Sequence, residues 1–322
     1  MTERSEQTDK KSGASELGDL RAGRCAIVGR PNVGKSTLMN ALLGQKLAIA
    51  TSRPQTTRNR ILGVYSQEQP ATQIGFLDTP GLHRPKNALG RALVEEAQGA
   101  LVDSDVILVV IEAPTSAGGG PELNAGDRQV LELLDREAPG VVLAINKVDR
   151  LKDKAALLPW LSYLDQQFPF RALVPISALK QRGLEPLIAE LRKHLPEGAL
   201  YEDNEFVTDR PERFFVAELV REAAIHLTRQ EVPYAVAVVV DSFVEDGNLT
   251  RIQASVVVEK PAQKKILIGK GGSKLKEIGT RARLGVEEML QRKVFLGLWV
   301  KVVPDWTNNP SNVRELAMGA DR

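Results

Sequence analysis

The octapeptide Gly29-Arg30-Pro31-Asn32-Val33-Gly34-Lys35-Ser36 restricts this chain to a narrow set of architectures. It fits Gly-x-x-x-x-Gly-Lys-Ser, a loop that wraps backbone N–H groups around a polyphosphate. Such a loop needs a strand before it and a helix N-terminus after it, whose positive end favours the anion. The flanks agree. Residues 25–28 are an apolar run that reads as a buried strand, and residues 37–43 read as a helix ended by Gly44. In that setting Gly29, Asn32, Val33, Gly34 and Thr37 line the phosphates. Lys35 reaches the β- and γ-phosphates, and the Ser36 hydroxyl binds Mg²⁺.

From Arg21 onward, strands alternate with helices. Apolar runs at 26–29, 61–65, 74–78, 106–112, 141–146 and 173–176 read as strands. Amphipathic segments at 35–43, 89–102, 127–135, 155–166 and 184–194 read as helices. This grammar predicts an α/β fold with a mostly parallel sheet covered on both faces, and ligands bound beyond the strand C-termini.

Further motifs stand at those strand ends. Asp78-Thr79-Pro80-Gly81 offers a carboxylate for Mg²⁺ and a Gly81 N–H for the γ-phosphate. Asn146-Lys147-Val148-Asp149 offers a carboxylate that can accept from both donors on the guanine edge, where adenine presents the wrong pattern. Ser177-Ala178-Leu179 places the Ala178 N–H for the guanine oxygen. Each tetrapeptide or tripeptide is weak alone; in this order, each after an apolar strand, they specify GTP and GDP. Between phosphate loop and Asp78, residues 51–58 are polar, and Thr57, in preference to Thr56, is expected to complete the Mg²⁺ shell when a γ-phosphate is present.

The sole cysteine, Cys25, excludes an internal disulfide framework. With no secretion signal, the cytosol is the expected compartment. His83, His194 and His226 are scattered and form no metal cluster in sequence. The net charge of +2 hides an uneven distribution: residues 260–283 hold eight basic residues and one acid, so the remainder is net acidic. A basic block of this kind fits a localised anionic partner.

That block lies in a second unit with a different grammar. The order read from 206 to 303 is α-β-β-α-α-β, with a hairpin signal at Asp246-Gly247-Asn248. Gly269-Lys270-Gly271-Gly272 joins two helices inside the block. A Gly-x-x-Gly loop lets its backbone approach a nucleic-acid backbone. Lys274 and Lys276 add charge, and Ile266, Leu267, Ile268 and Ile278 are expected to form an apolar wall for unstacked bases. The domain plan is a disordered tail at 1–20, a GTPase domain at 21–196, a linker at 197–205, an RNA-binding domain at 206–305 and a polar tail at 306–322 whose start Trp306 is expected to pin.

Taken together, these motifs resemble the Era family of bacterial GTPases with a C-terminal type II KH domain. The likeness rests on the phosphate loop, Pro54 to Arg58 (Pro-Gln-Thr-Thr-Arg), Asp78 to Gly81, Asn146 to Asp149, Glu231 to Tyr234 (Glu-Val-Pro-Tyr) and the KH order, and spans about residues 21 to 305. The resemblance implies a GTP-hydrolysing switch that binds the 3′ end of 16S ribosomal RNA, assists assembly of the 30S subunit, and sits in the cytoplasm with peripheral association at the inner membrane. It implies RNA, not DNA, as the nucleic acid, and a monomer. Lys35, Thr57, Gly81 and Asn32 carry the catalytic expectation. Asn32 occupies the position where Era-like GTPases hold K⁺ near the phosphates, a substitute for an arginine finger. Leu82 stands where Ras-type proteins place a water-orienting Gln, a departure shared by Era-like proteins. A GTPase coupled to RNA modification would need a second constellation such as a reactive cysteine, and the only cysteine precedes the phosphate loop. A nucleotide-dependent scaffold without hydrolysis is separated from these readings by a turnover assay.

Overall fold

The computed structural model describes residues 20–318 except 50, 52–56, 83–84, 115–120, 136–137, 139, 154, 156, 202–205, 229–231 and 233–234. Residues 1–19 of the expected disordered tail, the Pro54–Thr56 part of the polar loop, His83, and Glu231, Pro233 and Tyr234 lie outside the described residues.

The larger unit is an α/β sandwich. Its strands are β1 (Arg21–Val28), β2 (Ile61–Gln67), β3 (Thr72–Asp78), β4 (Val106–Glu112), β5 (Val141–Asn146) and β6 (Ala172–Pro175), in the spatial order β2-β3-β1-β4-β5-β6. Only the β2–β3 pairing is antiparallel. The helices are α1 (Lys35–Leu43), α2 (Ala88–Val102), α3 (Ala125–Glu132), α4 (Leu157–Gln167) and α5 (Leu184–Arg192). Near-continuous apolar strands fit this double cover: one core includes Cys25, Ile27, Phe76 and Leu108, and the other Ala26, Val28, Leu77 and Val109. Alternate residues of each strand thus feed opposite faces. β1 lies between β3 and β4, so the chain turns to opposite sides at its C-terminal end. That is the switch point at which such sheets bind ligands.

β1 begins at Arg21, five residues before its apolar stretch. Arg21 to Arg24 pair in register with Thr72 to Gly75, so the ladder extends the strand beyond what hydropathy marks.

The smaller unit runs α6 (Glu212–Leu227), β7 (Ala237–Asp246), β8 (Leu249–Val258), α7 (Pro261–Ile268), α8 (Ser273–Leu290) and β9 (Lys293–Val302). Its sheet has the order β7-β8-β9, with β9 parallel to β8. Gly247 and Asn248 form the two-residue turn between β7 and β8, with Gly247 at φ 57°. Val220, Ala224, Val256, Val258, Leu267, Ile278 and Val300 join α6, α7 and α8 to one face of the sheet.

Two stretches differ from their sequence reading. Residues 197–201 do not hang free as a linker: Arg21 and Glu197 form a β-bridge, and Leu200 and Tyr201 N–H both donate to the Gln73 amide oxygen Oε1 at 2.9 and 2.7 Å. Nor is the end of the chain a loose tail. Trp306 is fully buried and α9 (Pro310–Leu316) packs against α2. Ala88, Leu89 and Leu93 of α2 share a core with Ala237, Val257, Trp306 and Val313. The polar composition of the tail concealed this, because Trp306, Val313 and Ala317 are its only buried apolar residues among those described, with Thr307 buried beside them.

Candidate nucleotide and nucleic-acid sites

The phosphate loop leaves β1 at Gly29 and enters α1 at Lys35. Gly34 is at φ 103°, and a Cβ there would stand 2.4 Å from Asn146 Nδ2. Both conformation and space therefore require glycine. Lys35 is only 7% exposed, and its Nζ donates to the Gly29 and Arg30 carbonyls at 3.1 and 3.3 Å. Burial lowers its pKa to about 8; Asp78 pulls it up again and Arg30 adds to the lowering.

Ser36, Thr57 and Asp78 come together although they are far apart in sequence. Ser36 Oγ donates to Asp78 Oδ2 at 2.8 Å and lies 2.9 Å from Thr57 Oγ1, which itself donates to Asp78 Oδ2 at 3.2 Å. Asp78 is fully buried, and its Oδ1 has no hydrogen-bond partner among the described residues. Burial raises its carboxyl above the usual range, against the pull of Lys35. An all-oxygen set with an orphaned carboxylate oxygen fits a hard divalent cation such as Mg²⁺. The Thr79 hydroxyl donates to the Ile27 carbonyl at 2.8 Å and ties the loop to β1.

Gly81 lies against the phosphate loop, where a Cβ would stand 2.8 Å from Pro31 N. Leu82 turns inward: it is 2% exposed, in the core with Val28 and Leu77, and its N–H donates to the Gly29 carbonyl at 3.3 Å. Its side chain is therefore directed away from any nucleotide.

Asn146 links the base side to the phosphate side. Its Nδ2 donates to the Val33 carbonyl at 2.8 Å, and its Oδ1 accepts from Lys147 N–H and Ala178 N–H at 2.8 and 3.0 Å. The Ala178 N–H, expected to meet the guanine oxygen, is thus engaged with Asn146, while Leu179 is 71% exposed. Asp149 is exposed and accepts from Ser177 Oγ, a hydrogen bond that holds its carboxyl below the usual range. Ser177 Oγ also accepts from Lys180 N–H at 3.2 Å.

Lys147 stretches across the phosphate loop, its Nζ donating to the Asn32 carbonyl at 2.8 Å. Asn32 itself is exposed at φ 65°. Sequence reasoning missed the group that secures this arrangement. Glu112, at the end of β4, pairs with Arg30, Lys147 and Arg150 at 3.2, 3.1 and 3.0 Å. Partial burial alone would raise its carboxyl, but Lys147 and Arg30 outweigh that and hold it low. Its place at a strand end, beside the other motif-bearing ends, was the available signal.

Equally unforeseen is the junction with the small unit. Thr57 is followed by Arg58 and Asn59, both buried. Arg58 Nη1 donates to the Val236 carbonyl at 2.8 Å, and its guanidinium lies 5.5 Å from the Trp306 ring centroid. Trp306 Nε1 donates to the Ala235 carbonyl at 3.0 Å, and Asn59 Nδ2 to the Ala317 carbonyl at 3.0 Å.

The Gly-x-x-Gly loop is a different kind of site. Gly269, Gly271 and Gly272 have φ of 71°, 58° and 79°. Lys270, Gly271 and Lys276 are exposed, and a Cβ at Gly271 would have no atom within 4 Å. Lys274 pairs with Glu277 at 2.7 Å. The expected apolar wall is corrected in part. Leu267 and Ile278 are fully buried in the core beneath the sheet and cannot face a base, leaving Ile266, 43% exposed, and the half-buried Ile268.

Comparison with known proteins gives a consistent picture. A family model described as a 50S ribosome-binding GTPase matches residues 24–147, and a KH domain model matches residues 231–307. The GTPase Era of Xylella fastidiosa (strain M12) is 46% identical, covering 91% of this chain and 96% of that protein. The GTPase Era of Geobacter metallireducens is 44% identical, covering 92% and 97%. Among solved structures, an Aquifex aeolicus Era variant bound to GDP.AlF4- has a TM-score of 0.87 at 41% identity, covering 92% of this chain and 99% of that one. An Era in complex with MgGDPNP and nucleotides 1506-1542 of 16S ribosomal RNA has a TM-score of 0.87 at 40% identity, with the same coverage.

Proposed function

This chain belongs to the Era family of GTPases, and from that premise we propose that its GTP cycle controls the grip of its KH domain on the 3′ end of 16S ribosomal RNA during assembly of the small ribosomal subunit. The relative solved with a 16S fragment supports this reading more specifically than the 50S-named family model, because that likeness spans both domains.

The observation that carries the proposal is the continuity of Thr57, Arg58 and Asn59. Thr57 belongs to the Ser36–Asp78 cluster, and its two successors are buried in the junction with the KH unit. Phosphate contacts made by Lys35 and the loop N–H groups would draw Thr57 towards the nucleotide. Arg58 and Asn59 would transmit the displacement to β7 and α9. Mg²⁺, held by Ser36, Thr57 and Asp78, would neutralise phosphate charge. Asp149 would select guanine, and Asn146 would keep the base and phosphate loops in fixed relation. The Gly81 N–H would meet the γ-phosphate. Lys35 would stabilise the charge that develops as the phosphoryl group transfers. Gly269 to Gly272, Ile268, Lys274 and Lys276 would contact the RNA. Any inner-membrane association would be peripheral, since no described helix is long and apolar enough to cross a bilayer.

The test is binding of a single-stranded 16S 3′-end oligonucleotide to the GTP-analogue and GDP forms. Tighter binding in the GTP-analogue form is expected; equal affinity in both would overturn the coupling. We also propose that K⁺ at Asn32 assists turnover. Rates in KCl should exceed those in NaCl at equal ionic strength, and Asn32→Ala should remove the difference.

A further inference from the structure

The small sheet presents a second face, and part of it is open. β9 is one of its two edge strands. Leu296, Leu298, Val300 and Val302 point towards the helices and join their core. The alternate set, Lys293, Phe295, Gly297, Trp299 and Lys301, therefore faces the other way. Phe295 and Trp299 are 48% and 50% exposed. At about 3.3 Å per residue they stand roughly 13 Å apart along the strand.

The space between them is shaped by Gly297. A Cβ there would lie 2.0 Å from Gln253 Oε1 and 3.3 Å from the tip of the Trp299 indole. Glycine thus allows the indole to lie along the strand beside the Gln253 amide. Gln253 is the register partner of Gly297 on β8, and its Oε1 is buried with no hydrogen-bond partner among the described residues. Across β8 the partners of Phe295 and Trp299 are Arg251 and Ser255, so neither ring has an apolar neighbour opposite it. Lys293 and Lys301, both exposed, bracket the row.

We propose that this row is a stacking platform for single-stranded RNA, separate from the Gly-x-x-Gly loop. Bases rest on Trp299 and Phe295, and Lys293 and Lys301, the latter 3.3 Å from Asp241, attract the backbone. A protein partner would need a continuous apolar patch, and Arg251 and Ser255 interrupt it. α8, which starts at the Gly-x-x-Gly loop, packs on the helix-facing side of β9 with Gly279 against Leu298, so an RNA that reaches both contacts passes round the β9 edge. The proposal rests on the reading of the small unit as an RNA-binding domain.

Fluorescence tests it directly. Of the three tryptophans, Trp160 and Trp306 are buried, at 6% and 0% exposure, so Trp299 is the one accessible to solvent. The full chain is titrated with a tetranucleotide, short enough to occupy the loop alone, and with a pyrimidine-rich oligonucleotide about three times longer, long enough to reach both contacts. The longer RNA should quench Trp299 emission and protect it from iodide. Trp299→Ala should weaken the longer RNA roughly five- to a hundredfold, the loss of one stacked base. It should leave the tetranucleotide and GTP affinities unchanged, and Trp299→Phe should restore most of the loss. Unchanged affinity of Trp299→Ala for the longer RNA, without quenching in wild type, overturns the platform. Protection from iodide that rises with protein concentration and ignores RNA overturns it in favour of self-association. If neither RNA binds wild type, the RNA-binding reading of the whole domain fails, and the platform with it.

Discussion

The phosphate loop and the Gly-x-x-Gly loop are both glycine-rich turns at a helix N-terminus with lysine, yet they are built in opposite ways. Around the first, Lys35, Asp78 and Asn146 are buried and tied to one another's loops by hydrogen bonds. Around the second, Lys270 and Gly271 project into solvent, with only the Lys274–Glu277 pair beside them. Buried groups interact in a low local dielectric and leave little freedom, so they discriminate. Exposed cations are screened by salt and attract any phosphate chain. One site is made to recognise a single small molecule, the other to hold a polymer whose identity must be read elsewhere.

The sharpest way to break that contrast is at the base. Asp149→Asn replaces one of the two carboxylate oxygens that accept from guanine by an NH2 group and leaves the other uncharged, so one charged hydrogen bond is lost and the second is weakened. The loss of GTP affinity should be roughly 2–4 kcal/mol, or about 30- to 1,000-fold, at about 1.5–3 kcal/mol per charged hydrogen bond. Preference should move towards xanthosine triphosphate, whose edge offers an acceptor. Titration with both triphosphates checks it, and an unaltered preference would remove Asp149 from the base site.

The same contrast explains what could be read from sequence. The phosphate loop, Asp78, Asn146 and Asp149 were legible because each is a short motif after an apolar strand, and local pattern fixes both. The Gly-x-x-Gly loop was legible through its charge and its place between helices. The junction contacts of Arg58 and Asn59 were not, and Trp306 was legible only as the pin of the tail, not in what it packs against. Their partners lie at Val236, Ala317 and Arg58, and no local periodicity encodes contacts over such separations. Leu267 and Ile278 were misplaced for a related reason: being apolar marks a residue for burial but does not say whether its face meets a base or the core. Glu112 ended an apolar strand and read as its polar terminus, whereas it anchors Arg30 and Lys147.

On the exposed side, Lys270→Asp with Gly271→Asp reverses the local charge where no other residue is packed. Gly271 at φ 58° makes its replacement cost about 1–2 kcal/mol at most, and Asp tolerates that region better than most residues. RNA affinity should fall at least tenfold, and its salt dependence should flatten as phosphate contacts are lost. GTP binding and basal hydrolysis should survive. A folded double variant that holds a pyrimidine-rich CCUCC-type RNA as tightly as wild type would make the loop irrelevant to RNA.

The smallest effect probes burial itself. Burial brings the Lys35 pKa down from 10.5 to about 8, so the free protein loses this charge well below the pH at which an exposed lysine would. The protonated form is the one that attracts phosphate. Bound phosphate restores its preference for the proton, so above pH 8 binding must take up a proton and affinity falls as pH rises. Between pH 7.5 and 8.5 the protonated fraction drops about threefold, and nucleotide affinity should drop with it. In that window the terminal phosphate, with a pKa near 6, has already titrated and does not confound the slope. Lys35→Arg, which keeps its charge throughout, should bind more weakly because the planar guanidinium does not fit a site shaped for an ammonium, but its affinity should not vary over the same window. RNA affinity, measured alongside with the exposed loop as the control, should change less than GTP affinity. A flat wild-type GTP profile would mean that Lys35 is as well solvated as the loop lysines, and the contrast between a buried and an exposed phosphate site would not hold at its central residue.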